Sequence, residues 1–165
     1  MAISLLTAAY ALHLAATAVW IGGLIFLSLL LPGQLARLPL EERQSLTVST
    51  VRRFLPIAWL CLAVFVGTGL AQMSASPNYE GVLAVGNTWA AAILIKHIVI
   101  GGMLALLAYQ TWILHPRFER HALGLEKLDP HTIAVLRRCD LRLLRVSLAL
   151  GAVVLVLTAV ARANA

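Results

Sequence analysis

The run WAAAILIKHIVIGGMLALLAYQTWIL, from Trp89 to Leu114, holds a single charged residue, Lys96, among mostly apolar ones. A transmembrane helix needs about 20 consecutive apolar residues, and this run is long enough. A strand of a membrane barrel spans in about 10 residues and alternates apolar with polar positions, which this run does not do. The stretch therefore predicts a membrane-spanning helix.

Three further runs have the same character, and they cover residues 5–31, 54–73 and 143–161. The chain has 165 residues, of which 61% are hydrophobic and 12% charged, against about 45–50% and about 25% in soluble proteins. A soluble domain of this size cannot bury so much apolar surface. We therefore predict one all-α integral membrane domain over residues 1–165, an up-down-up-down bundle of four transmembrane helices embedded in the lipid bilayer.

The ends of these runs carry further signals. No Lys or Arg precedes the first run, which is longer than the apolar region of a signal peptide. We therefore expect this run to remain in the mature protein as a transmembrane helix. Pro32 and Pro116 are expected to close the first and third helices. Pro39 and Asp129-Pro130 are typical helix starts, so we expect the second and fourth helices to begin outside the membrane, in the cytoplasm.

Positive charge is concentrated in two connections. Residues 32–53 and 115–145 hold every Lys and Arg except Lys96 and Arg162, and the connection 74–88 has none. The positive-inside rule places the two basic connections in the cytoplasm. We thus expect a bacterial inner-membrane protein with both termini in the periplasm. The net charge of +6 is a topology signal, and no basic–aromatic motif indicates a nucleic-acid partner.

Ionisable residues are rare inside the predicted spans: His13, Cys61, Lys96 and His97. Such residues usually face the bundle interior or a ligand. Counting about 1.5 Å per residue from the helix ends, His13 and His97 lie at one depth, roughly 12–14 Å below the outer surface. Two histidines on co-directional helices suit the axial positions of a b-type haem, and Lys96 suits a haem propionate.

Other polar and sulfur-containing residues give weaker signals. Cys61 and Cys139 fall in different environments and are not expected to form a disulfide. The sequence has no Cys-x-x-Cys-His motif for covalent haem attachment. Met73 is interpreted as a packing residue. Three histidines of the second basic connection are expected to be solvated: His115, His121 and His131.

A weak internal repeat relates the two halves of the chain. A shift of 90 residues superposes Arg52 on Arg142 and Thr68 on Thr158. In the other pair of helices, His13 and His97 each precede two consecutive glycines. The pattern predicts a parallel repeat about the membrane normal.

Several short motifs resemble the CopD-like family, the copper-resistance D domain. They are LHLAA at residues 12–16, VWIGGL at 19–24, Arg53-Phe54, Gly67-Thr68-Gly69, and the run from Trp89 to Lys96. The resemblance implies a helical membrane fold and a role in copper uptake. The related HemJ-type porphyrinogen oxidases are associated with haem b and use a histidine on the first helix and a lysine on the third. On this chain those residues would be His13 and Lys96.

The leading prediction is a haem b membrane protein that transfers electrons or performs redox chemistry near the periplasmic side. His13 and His97 would be its axial metal ligands and Lys96 a propionate contact, with an undefined redox partner. If both histidines bind the iron, electron transfer is the expected role; if only His13 binds it, an open site for a small molecule follows. An oxidoreductase activity is compatible with either case and is left open.

The first alternative is copper binding or transport through His13, His97 and Cys61 or Met103. The second is an accessory subunit without chemistry of its own, packed on a larger respiratory or transport complex. The oligomeric state is left open, and a homodimer is one alternative.

Overall fold

The computed structural model describes residues 2–77 and 88–163, and every regular element within these ranges is a helix. The connection 78–87, predicted to lie on the periplasmic side, is outside the described residues. The elements are α1 (Ala2–Ile25), a π-helical turn (Phe26–Leu30), α2 (Leu31–Leu35), α3 (Leu40–Ser74), α4 (Thr88–Tyr109), a second π-helical turn (Gln110–Leu114), α5 (His115–Ala122) and α6 (Pro130–Ala163).

These elements join into four helical segments long and apolar enough to cross a membrane. They are Leu5–Leu35, Glu42–Ser74, Thr88–Ala122 and Pro130–Ala163. The prediction of an all-α, up-down-up-down bundle of four transmembrane helices is thereby confirmed. The α3 helix begins at Leu40 and α6 at Pro130, well before their apolar runs.

The bundle packs as two main pairs, α1 against α3 and α4 against α6, and α1 also contacts α6. The core between them contains Trp20, Leu24, Ala58, Leu107 and Leu144. Gly23 brings α1 and α3 close together, because the Phe54 ring occupies the space that a Cβ atom would fill.

The outside of the bundle is apolar as well. Large side chains such as Leu14, Leu60, Ile98 and Val156 are more than half exposed. An exposed apolar surface on every helix is unfavourable in water and favourable in lipid. The chain is therefore an integral membrane protein.

Proline does not end the first and third helices as expected. A π-helical turn precedes Pro32 and another precedes Pro116, and the helices continue to Leu35 and Ala122. Proline lacks an N–H group and its ring clashes with the carbonyl four residues back; a wider turn accommodates both effects. The same interval separates Pro32 from Pro116 and His13 from His97, so the two halves share a histidine, a wide turn and a proline.

Candidate functional site

A pocket of about 300 Å³ lies at the end of the bundle remote from the two basic connections. We call it the His13 pocket. Its walls include His13 from α1, Met73 from α3, Lys96 and His97 from α4, and Arg162 from α6. The three site residues predicted from the sequence thus line one pocket, and all three are half-buried.

Hydrogen bonding determines which nitrogen of the neutral His13 ring carries the proton. The Thr68 hydroxyl donates to the carbonyl oxygen of Val64 one turn earlier, at 2.5 Å. Since that bond uses the only hydroxyl hydrogen, the Thr68 oxygen accepts from the Nδ1–H group of His13, 2.8 Å away. The neutral ring therefore keeps its lone pair on Nε2, the atom that a metal can bind.

The His97 ring is held in the same way. Its Nδ1 atom lies 2.7 Å from the carbonyl oxygen of Ile93. A carbonyl oxygen only accepts hydrogen bonds, so Nδ1 carries the proton and Nε2 carries the lone pair. Metal-binding histidines usually donate their second ring N–H to a carbonyl, carboxylate or similar acceptor, and both histidines of this pocket do so.

Met73, interpreted from the sequence as a packing residue, is buried in an apolar cluster with Trp89 and Ala161 and also lines this pocket. Its side chain is 6% exposed and lines the His13 pocket together with Phe65 and Gly69 of the same helix. A thioether is a soft ligand that suits Cu(I). Helical periodicity relative to Phe65 and Gly69 is the signal that could have indicated this face of α3.

Cys61 and Met103 lie elsewhere. Both are buried in the main core, and neither lines the His13 pocket. The structure therefore does not bring them to His13 and His97, as the copper alternative had allowed.

The pocket carries positive charge. Lys96 and Arg162 both line it, and the charge of Arg162 acts on Lys96. The Arg162 guanidinium stacks on the Tyr10 ring, with Cζ 4.5 Å from the ring centroid, a cation–π contact between α6 and α1. Within residues 2–77 and 88–163, no cluster of three or more His, Cys, Asp or Glu residues could hold a metal ion.

A second polar cluster lies deep at the opposite end of the bundle. Asp140 is 7% exposed, and its Oδ1 atom accepts from Gln110 Nε2 at 2.9 Å and pairs with His115 Nε2 at 3.3 Å. The expectation that His115 is solvated is wrong, because the helix continues through Pro116 and keeps His115 inside the bundle. His131 is exposed, and His121 is held by contacts with the backbone at Glu126 and Leu128.

The fold and this pocket define a four-helix integral membrane protein with two histidines and two basic residues lining a pocket between its helices. Residues 48–161 match the family model described as copper resistance protein D, and the chain belongs to this CopD family. The matched range includes Thr68, Met73, Lys96 and His97, and it begins after His13. Comparison with the curated proteins and with the solved structures gives no match.

Proposed function

We propose that the protein handles copper at the membrane and that the His13 pocket binds the ion as Cu(I). The observation that carries the proposal is that two histidines line this pocket, each with Nδ1–H already bonded and with no partner for Nε2 among the described residues. Membership of the copper resistance protein D family favours copper as the ion. Neither the match nor the contacts of the pocket support the haem and electron-transfer prediction.

The donor set and the charge of the pocket both favour Cu(I) over Cu(II). Two imidazoles and the Met73 thioether are nitrogen and soft sulfur donors, which suit the monovalent ion. Lys96 and Arg162 repel any cation, and the repulsion is twice as large for a divalent ion. Lys96 and Arg162 thus favour Cu(I), the copper ion of lower charge, over Cu(II). Copper is the cargo here, and the positive-inside rule gives a pocket that opens toward the periplasm.

The test is a Cu(I) titration of the full chain, purified in mild detergent under reducing conditions, against a colorimetric Cu(I) chelator. We expect the wild type to bind about one Cu(I) per chain. His13→Ala and His97→Ala should each weaken the affinity at least tenfold. His131→Ala is the matched control, because this histidine is exposed and lies outside the pocket. Equal affinities in all four proteins would overturn the proposal.

A visible spectrum of the same preparation separates copper from haem. Cu(I) is colourless, whereas a haem bound by His13 gives a Soret band that His13→Ala removes. A stoichiometric Soret band in the wild type would contradict the copper proposal and restore the haem prediction. A colourless protein that binds no Cu(I) would contradict both and leave the accessory-subunit interpretation.

A further inference from the structure

A cavity of about 250 Å³ lies at the end of the bundle that carries the basic connections. We call it the Arg-rich cavity. It is bordered by α2, the first turns of α3 and α6, and α5. Most of its wall is aliphatic, and this part includes Leu27, Leu31, Leu35, Val51, Leu55 and Leu144. The wall alone would suit a hydrocarbon chain.

Three arginines also border the cavity: Arg43, Arg52 and Arg137. Two acids border it, and neither neutralises all of this charge. Asp140 is turned to Gln110 and His115, and Glu119 lies 4.0 Å from Arg52, with both side chains well exposed. Surface pairs of this kind contribute little.

The other two arginines, Arg43 and Arg137, border the cavity without an acidic partner in the part of the chain that the structure describes. Arg43 donates to the backbone carbonyls of Leu35 and Ala36, which are neutral, so its full positive charge remains. Among the described residues, Arg137 has no hydrogen bond or ion pair, and it borders the same cavity as Arg43. Both arginines are half-buried as residues. An anion between them would relieve the repulsion between their positive charges.

We propose that the Arg-rich cavity binds one anionic phospholipid from the adjacent leaflet. Its phosphate would lie against Arg137 and Arg43, because guanidinium groups recognise phosphate by bidentate hydrogen bonds. One acyl chain would lie along the aliphatic wall. A free phosphate ion satisfies only the charges and leaves that wall uncovered. Basic pockets between transmembrane helices bind lipid headgroups in this manner. The inference does not depend on copper binding in the His13 pocket.

Native mass spectrometry of the full chain tests the inference. The protein is incubated with equal amounts of phosphatidylglycerol and phosphatidylcholine, released from the micelle, and its lipid adducts are counted. We expect one retained phosphatidylglycerol, favoured about fivefold or more over phosphatidylcholine, since each basic residue near a membrane surface contributes about that factor. Arg137→Gln should lower the retention about fivefold. Arg138→Gln is the matched control, because Arg138 is exposed and does not line the cavity.

Three outcomes would overturn the inference. They are equal retention of the two lipids by the wild type, equal retention by Arg137→Gln and Arg138→Gln, and suppression of phosphatidylglycerol binding by millimolar inorganic phosphate, which would indicate a site for the free anion alone. If Arg137→Gln does not give a monodisperse protein, the inference is still tested by Arg137→Lys and by the comparison of the two lipids on the wild type. Arg137→Lys should retain an intermediate amount, because lysine keeps the charge and loses the bidentate geometry.

Discussion

The Nδ1 atom of His13 lies 2.8 Å from the Oγ1 atom of Thr68, across the contact between α1 and α3. The Thr68 hydroxyl in turn donates to the Val64 carbonyl. This chain of two hydrogen bonds orients the His13 ring and keeps Nε2 free of hydrogen. Thr68 is thus a positioning residue, which acts on a bound ion only through His13.

Replacing Thr68 by valine tests this role. Thr68→Val keeps the shape of the side chain and removes the acceptor, so the His13 ring loses its fixed orientation. We expect the Cu(I) affinity to fall about 10–100-fold, the usual cost of losing such a partner. Thr68→Ser retains the hydroxyl and should bind close to the wild type. The measurement is the chelator competition described above, and equal affinities for valine and serine would show that Thr68 has only a packing role.

Met73 gives a second prediction about the same pocket. Met73→Leu keeps nearly the same volume, so the cost in stability is expected to be below about 1.5 kcal/mol. The loss of the thioether should weaken Cu(I) binding several-fold while leaving the Cu(II) affinity nearly unchanged, since sulfur favours the softer ion.

Met103→Leu is the matched control for this change, because Met103 is equally buried and lies in the main core. X-ray absorption at the copper edge gives an independent readout, since a copper–sulfur contribution should be present in the wild type and absent in Met73→Leu. A copper–sulfur contribution that persists would assign the sulfur to another residue.

Asp140 gives a prediction about stability. Asp140→Ala leaves the amide of Gln110 and the ring of His115 without their shared acceptor in a buried environment. An unsatisfied buried donor costs about 1–3 kcal/mol in water-soluble proteins, and hydrogen bonds between transmembrane helices contribute somewhat less. Because Asp140 is the acceptor for two donors, we expect a loss of about 1–2 kcal/mol for Asp140→Ala and a smaller loss for Asp140→Asn, which keeps an acceptor oxygen.

Equilibrium unfolding of the purified protein in mixed micelles measures this loss. Glu126→Ala is the control, because Glu126 forms only an exposed ion pair with Arg120 and should change the free energy of unfolding by less than about 1 kcal/mol. The prediction fails if the alanine variants of the two acids are equally stable.

Hydropathy and charge placement were sufficient to predict the four helices, since each signal extends over about 20 residues. Counting from helix ends predicted that His13 and His97 lie near each other, and the two residues do line one pocket. The rotation of α3 about its own axis was not predictable, because an apolar helix in lipid has no polar face to mark its inner side. For that reason, neither the contact of Thr68 with His13 nor the position of Met73 in the pocket wall was predicted.

The wide turns before Pro32 and Pro116 were missed for a different reason. Proline usually ends or kinks a helix. Whether a π-helical turn lets the helix continue through the proline depends on packing against neighbouring helices. The misplacement of His115 followed directly, since the predicted end of the third helix put it in water. Sequence rules that assign helix ends locally therefore fail where tertiary packing carries a helix through a proline.

The last prediction concerns the start of α6 and its dependence on pH. The carboxylate of Asp129 accepts hydrogen bonds from the Thr132 hydroxyl and the Thr132 backbone N–H. These bonds hold the pKa of Asp129 below its usual value of 3.8. A carboxyl whose pKa is lower in the folded than in the unfolded chain stabilises the fold above its unfolded pKa, and the contribution disappears as the pH falls through the folded pKa. Asp129→Ala should therefore lower the melting temperature at pH 7, and this difference from the wild type should shrink as the pH falls below 3.8 toward the lower pKa of the folded chain. Asp129→Asn keeps an oxygen that caps the helix without titrating, so its melting temperature relative to the alanine variant should not change with pH.

Thermal unfolding of the three proteins between pH 7 and pH 2 measures both effects. A difference between wild type and Asp129→Ala that stays constant over this range would show that the charge of Asp129 does not contribute to the helix start.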